Sequence, residues 1–211
     1  MSKAQPAPSL REKAKERTRE ALVDAAVACF SEAGLEAPSL DAICERAGCT
    51  RGAFYVHFAD RDELIVAAMQ RRRGSVLDAF LGSTDAGVHD LLEAVAQAIE
   101  RKILPVPGAV RSGELVTAAR RSSAIRSAQD ELTQSTLARL RELVRDDQRR
   151  GRVRGDVDAS SLALVLLLAE AGAELWLDLG VSFDARKATK ALTALFSAAE
   201  PGSRRHARGV Q

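Results

Sequence analysis

The stretch from Ser39 to Phe58 places the tightest constraint on what this chain can fold into. Leu40, Ile43, Cys44 and Ala47 repeat at the spacing of one helical face. Gly48 then interrupts, and Thr50 opens a second short run in which Phe54 and Phe58 share a face four residues apart. Ser39 and Thr50 are helix-opening residues, because a hydroxyl oxygen can accept from a free backbone N–H of the first turn. Gly48 tolerates the positive φ that a tight helix–helix corner requires. Ahead of this stretch Leu22, Ala25, Ala26, Cys29, Phe30 and Ala33 form one apolar stripe, and Gly34 ends it. Three short helices, the last two joined by a glycine turn, predict a helix-turn-helix.

The remaining chain also reads as helix. Asp60 and Glu63 form a capping-box pair, with Asp60 at the N-cap, and a long helix should run from there to about Phe80. Gly82 to Gly87 reads as a loop. Helical segments follow near 88–103, 109–121, 123–150, 158–180 and 184–199. Pro105, Pro107, Gly151 and Gly155 supply the breaks, and Asp158 is placed as an N-cap. Hydrophobic residues make up 46% and aromatics 4%, with Ala and Leu abundant, a mixture that loses little on entering a helix. No strand and no repeat is evident. The expectation is an all-α fold of about nine helices: a helix-turn-helix module over 11–60, a connecting helix over 61–84, a helical bundle over 85–200, and flexible tails over 1–10 and 201–211.

Net charge is only +2 over 211 residues, so bulk charge does not announce a nucleic-acid partner. Its distribution is more informative. Lys3, Arg11, Lys13, Lys15, Arg17 and Arg19 face only Glu12 and Glu16 in the first nineteen residues, and Arg204, Arg205 and Arg208 have no acidic neighbour after Pro201. Solvated, disordered tails are the alternative reading of both ends. Cys29, Cys44 and Cys49 are odd in number and fit no zinc spacing. They predict reduced thiols used as small apolar residues in a cytoplasmic protein, with no metal and no cofactor. The longest apolar run, Leu162 to Ala169, is eight residues and is followed by Glu170, so no membrane span is expected. His57, His89 and His206 lie far apart, and neither a nucleophile–base motif nor a glycine-rich phosphate loop is present, which argues against an enzyme.

On the third helix everything inward is apolar, while Arg51, Gly52, Tyr55 and, less fully, His57 face away. The second helix of such a motif fits a major groove, although the same corner also occurs in folds that bind nothing. The residues themselves narrow this. The run from Ser39 through Tyr55-Val56-His57-Phe58, followed by Arg61-Asp62-Glu63-Leu64, closely resembles the DNA-binding module of the tetracycline-repressor family. The resemblance covers roughly residues 17–70, and Arg17-Thr18-Arg19 with Ala25-Ala26 and Phe30 fits the family's first helix. Arg152 to Asp158, ahead of an apolar helix, is similar to a turn seen in members with a multidrug-repressor-like C-terminal domain. Cys49 stands where an aliphatic residue is usual and Arg61 where Lys is usual.

The resemblance implies double-stranded operator DNA as partner, a homodimer, and a small-molecule effector. It implies that Arg51 reaches guanine O6 and N7, with a phosphate contact as the alternative. Gly52 and Ala53 would let the backbone approach the groove, and Ala53 would touch a thymine methyl. Tyr55 and His57 would contact phosphate, a capping or surface role being the alternative for His57. Arg61 would add a cation at a helix N-terminus. Thr18, Ser39 and Thr50 would donate to phosphates, with plain capping as the equal competitor. The last two helices would pair with a second subunit, against the alternative of a monomer core. A ligand pocket lined by Leu92, Val95, Ile99, Leu115 and Trp176 is expected, ordinary core packing being the alternative for each. Glu170 would pair a cationic ligand, or else form a solvated acidic stripe with Glu174 and Asp178.

Overall fold

The computed structural model describes residues 9–81, 86–101 and 112–198. The predicted outer tails, Pro105 and Pro107, and most of the 82–87 loop fall outside those residues. Among the described residues nine helices and no strand are present: α1 (Leu10–Ala33), α2 (Leu40–Arg46), α3 (Arg51–His57), α4 (Arg61–Leu81), α5 (Val88–Glu100), α6 (Ser112–Arg121), α7 (Ser123–Arg149), α8 (Ala159–Asp178) and α9 (Ala185–Phe196). The all-α expectation is met.

The chain divides into two compact units, one comprising residues up to 76 with 106–130 and the other comprising 77–105 with residues from 131 onward. In the first unit, α1 is the prop. Ser9 opens it with a capping box, its Oγ accepting from Glu12 N (3.2 Å) while Glu12 Oε2 accepts from Ser9 N (2.7 Å). Leu22, Ala26 and Phe30 on its inner stripe are fully buried, as are Ile43, Phe54 and Phe58 from α2, α3 and the residue after α3. Contacts join α1 to both α2 and α3. Arg46 on α2 pairs in a fork with Glu32 on α1, both bonds 2.7 Å.

A cut of the chain by sequence at 84 separates α6 from these helices, whereas contacts place it with them. The reason is local chemistry at the α1–α2 corner. Glu114 on α6 accepts the Leu35 backbone N–H at 2.8 Å, and Arg121 pairs with Glu36. Gly34, at φ +80°, leaves room for that carboxylate; a Cβ there would collide with Glu114 Oε1.

The second unit is built on Val88, Leu92, Leu140, Val144, Val153, Leu162, Ala163, Leu166 and Phe196. Asp158 caps α8 through the Ser160 and Ser161 N–H groups, both 3.0 Å. Asp147, 1% exposed, accepts from Val88 N at 2.7 Å and from Arg152 Nε at 2.9 Å, so its burial is compensated. α9 ends earlier than the expected 199, because Ser197 pairs in an isolated bridge with Val153. Arg186 ties α9 to α5 through Glu93 (3.3 Å) and Glu100 (2.8 Å).

Candidate nucleic-acid interface

The corner between α2 and α3 is a helix C-cap of Schellman type. Ala47 is the C-cap, and Gly48 follows at φ +67°. Gly48 N donates to Glu45 O and Cys49 N donates to Cys44 O, each at 3.0 Å. Thr50 then caps α3, its Oγ1 accepting from Ala53 N at 3.2 Å, just as Ser39 Oγ accepts from Ala42 N at 3.1 Å. Both hydroxyls therefore cap, and each keeps its own proton to donate. Thr18 differs: its hydroxyl donates to Ala14 O at 3.1 Å on its own helix.

On α3 one side is anchored and the other is bare. Phe54 stacks on Phe58 with ring centroids 5.5 Å apart, and Tyr55 meets the Phe54 ring edge-on at 5.2 Å. Arg51, Gly52, Tyr55 and Val56 are exposed, with Ala53 and His57 half-buried. Val56 is 63% exposed, an apolar group on the open face that sequence reasoning passed over. Its signal was its place off the Phe54–Phe58 stripe. The Arg51 guanidinium lies 3.3 Å from both Asp41 oxygens. A hydrogen bond donated to the Tyr55 oxygen and then the Asp41 charge hold Arg51 above its usual range, so it is a permanent cation held loosely at the surface.

His57 faces α1. Its Nδ1 is buried without a hydrogen-bond partner. Burial first, then the Lys15 and Arg19 charges, hold its pKa below the usual value, with Glu16 opposing. Arg19 lies over the Phe58 ring at 5.2 Å. Lys15 and Arg19 thus bring α1 cations to the end of α3, a grouping the sequence spacing does not reveal.

Arg61 sits otherwise than expected. Its guanidinium donates to Pro38 O (2.7 Å) and Leu35 O (2.6 Å), and it lies 5.5 Å from the Phe30 ring centroid. It is thus directed at the α1–α2 corner. The start of α4 carries carboxylates instead: Asp60 Oδ1 accepts from Glu63 N at 2.9 Å, and Glu63 Oε2 accepts from Ala59 N at 2.7 Å.

The expected ligand-lining residues fall in both units. Leu92 belongs to the second unit's core, and Val95 and Ile99 are half-buried on α5. Leu115 is on α6, in the other unit. Glu170 is exposed, and Trp176, 51% exposed, meets Phe183 edge-on at 5.9 Å. The apolar girdle of α8 is not covered on every side: Leu164, Val165 and Leu168 are 46%, 44% and 62% exposed.

A short prop-and-turn assembly that buries three phenylalanines and bares Arg51, Tyr55 and Val56 defines a helix-turn-helix module of the kind that lays its second helix in a major groove. Residues 22–68 match the family described as "Bacterial regulatory proteins, tetR family", so the chain carries that family's N-terminal domain. SrpR, an HTH-type transcriptional regulator of Pseudomonas putida, is 36% identical over 84 residues, 40% of this chain and 38% of SrpR. The chain spans less than two thirds of the length of the curated regulators it matches. Over nearly the whole chain the fold is that of a TetR-family transcriptional regulator from Cytophaga hutchinsonii, at TM-score 0.73 and 19% identity, covering 92% of this chain and 100% of that one. NalD, the secondary repressor of the MexAB-OprM multidrug efflux pump in Pseudomonas aeruginosa, is similar at TM-score 0.59 and 22% identity, covering 88% and 100%.

Proposed function

We propose that this chain is a homodimeric transcriptional regulator that binds a palindromic duplex operator through α3 and represses until a small apolar ligand releases it. The observation that carries the reading is the bare face of α3, where a fixed cation, a phenol, a glycine and an aliphatic side chain stand on a capped, phenylalanine-anchored helix. In this reading Arg51 reads a base. Gly52 and Ala53 admit the helix backbone to the groove, and Tyr55, His57, Ser39 and Thr50 meet phosphate. Thr18, already bonded to Ala14, and Arg61, bonded to the 35–38 corner, act by holding the module together.

The dimer is supported by α8. Leu164, Val165, Leu168, Leu175 and Trp176 are exposed on one helix, with Leu179 exposed just after it, more apolar surface than a lone helix leaves in water. By length and hydropathy α8 also passes as a membrane span, with a mean hydropathy of 1.6 in its apolar window. Glu170, Glu174 and Asp178 along it favour a second copy of the chain over lipid. Repression is supported by the description of NalD as a repressor. Release by an apolar ligand is supported by the Leu- and Val-rich second unit, and Glu170 would matter only for a cationic ligand. A gel-shift titration on the DNA upstream of the chain's own gene tests the proposal: it expects one dimer per palindromic site. A monomer by sedimentation at micromolar concentration, or no shift, refutes it.

A further inference from the structure

The Schellman corner that aims α3 carries two thiols. In this motif the helical residue three from the end and the residue two past the cap come side by side, and here these are Cys44 and Cys49. The 3.0 Å bond from Cys49 N to Cys44 O limits their α-carbons to no more than about 7 Å by standard bond lengths. Disulfides span up to roughly 6.8 Å between α-carbons. The two sulfurs differ in access: Cys44 is 3% exposed, whereas Cys49 is half-buried. Burial first, then the neighbouring Cys49 thiol, pushes Cys44 up to about 11, with Asp41 adding to the rise and Arg51 opposing it. Cys29 is separate, buried on α1 with Arg46 Nη1 at 4.0 Å from its sulfur.

We propose that Cys44 and Cys49 are an oxidation site: a hydroperoxide closes them into a disulfide within the turn, and closure weakens the hold of α3 on duplex DNA. The second half rests on the DNA reading of α3. The accessible Cys49 thiolate attacks the peroxide O–O bond, becomes a sulfenic acid and releases an alcohol, or water from hydrogen peroxide. The Cys44 thiol then attacks the Cys49 sulfur. The S–S bond forms, the S–O bond breaks, and the hydroxyl leaves with the Cys44 proton as water. Two thiols and one hydroperoxide give one disulfide, one alcohol and one water, with two electrons passing from sulfur to oxygen.

The consequence for α3 is geometric. A disulfide draws the two β-carbons to about 3.5–4.5 Å, and Cys49 is joined directly to Thr50, whose hydroxyl caps α3. Pulling Cys49 toward α2 shifts that cap and with it the direction of Arg51 and Tyr55. Base readout tolerates little misplacement.

The test treats the full reduced chain with hydrogen peroxide and blocks residual thiols. It is then cut with trypsin and a glutamate-specific protease, which places Cys29, Cys44 and Cys49 on separate peptides. The expected result is a Cys44–Cys49 linked pair two hydrogens lighter than the reduced peptides. It is accompanied by a tenfold or greater loss of affinity for the upstream duplex, restored by dithiothreitol. Cys49→Ser, and independently Cys49→Ala, should keep their affinity under peroxide. No linked pair, a link through Cys29, or a linked pair with unchanged affinity would overturn the proposal. If the reduced chain binds no duplex, the DNA reading fails instead. The oxidation site then stands or falls on the linked pair and on a change in amide exchange over Arg51–His57.

Discussion

α3 and α8 both leave side chains in water that a globular chain would ordinarily cover, and they do so in opposite ways. α3 is seven residues long and bares Arg51, Gly52, Tyr55 and Val56 while burying Phe54 completely. α8 is twenty residues long and bares Leu164, Val165, Leu168, Leu175 and Trp176 while burying Ala159, Leu162, Ala163 and Leu166. A face of cation, phenol and glycine suits a charged, hydrated partner with acceptor-rich edges. A face of leucine and tryptophan suits another apolar face. The contrast teaches that exposure alone names no partner; the chemistry of what is exposed does.

The largest expected effect breaks the α8 half of that contrast. Leu168→Glu places a charge on the most exposed leucine inside the apolar run. The variant should sediment as a folded monomer and lose operator affinity on the order of 100-fold or more, because the second half-site no longer adds its contacts. A dimer of unchanged affinity would remove α8 from the interface. Next, the two aromatic neighbours of α3 should separate stability from binding. Phe54→Ala should lower unfolding free energy by about 3–5 kcal/mol in denaturant titrations. Tyr55→Ala, at an exposed position, should change stability by no more than about 0.5 kcal/mol yet weaken duplex binding. Equal losses of stability in the two variants would mean the open face of α3 is not open.

Gly48→Ala tests the corner itself. At φ +67° an alanine should cost about 1–2 kcal/mol. Its operator affinity should fall further than that of any exposed α8 variant that keeps the dimer.

Much of the α3 half was legible because its signals are local. Ser39, Gly48 and Thr50 punctuate two short stripes, and caps act within three residues. What stayed hidden depends on groups distant in sequence. The grouping of α6 with the N-terminal helices rests on Glu114 meeting Leu35 across 79 positions. Arg61 looked like a free cation because nothing local marks the Leu35 and Pro38 carbonyls as its acceptors. A ligand pocket is hard to read for a related reason: an apolar helix position is the same letter whether it lines a cavity or fills a core. The uncovered side of α8 was likewise invisible, since a run apolar all round does not say which side its own chain will cover.

The smallest expected effect belongs to His57. Its pKa in the folded chain is lowered from 6.5, so the folded state binds fewer protons than the unfolded state. Stability from this group is full above about 6.5 and is lost as pH falls below it. DNA should respond with the opposite sign. A phosphate beside the imidazole, Lys15 and Arg19 favours the imidazolium, so binding takes up a proton and tightens as pH falls. His57→Gln should flatten both slopes, by denaturant midpoints and by anisotropy. Slopes unchanged in that variant would leave His57 outside the interface.

Whether α3 reads the duplex is decided by Arg51→Ala against a panel of operators altered one base pair at a time. Arg51 is exposed and its ion pair with Asp41 is loose, so folding and dimerisation should be unaffected. The variant is expected to lose affinity for the parent operator by roughly 5–150-fold and to cease discriminating at one base pair per half-site. A variant that binds every operator as the parent does, or that weakens all of them alike while discrimination at every position persists, would contradict it.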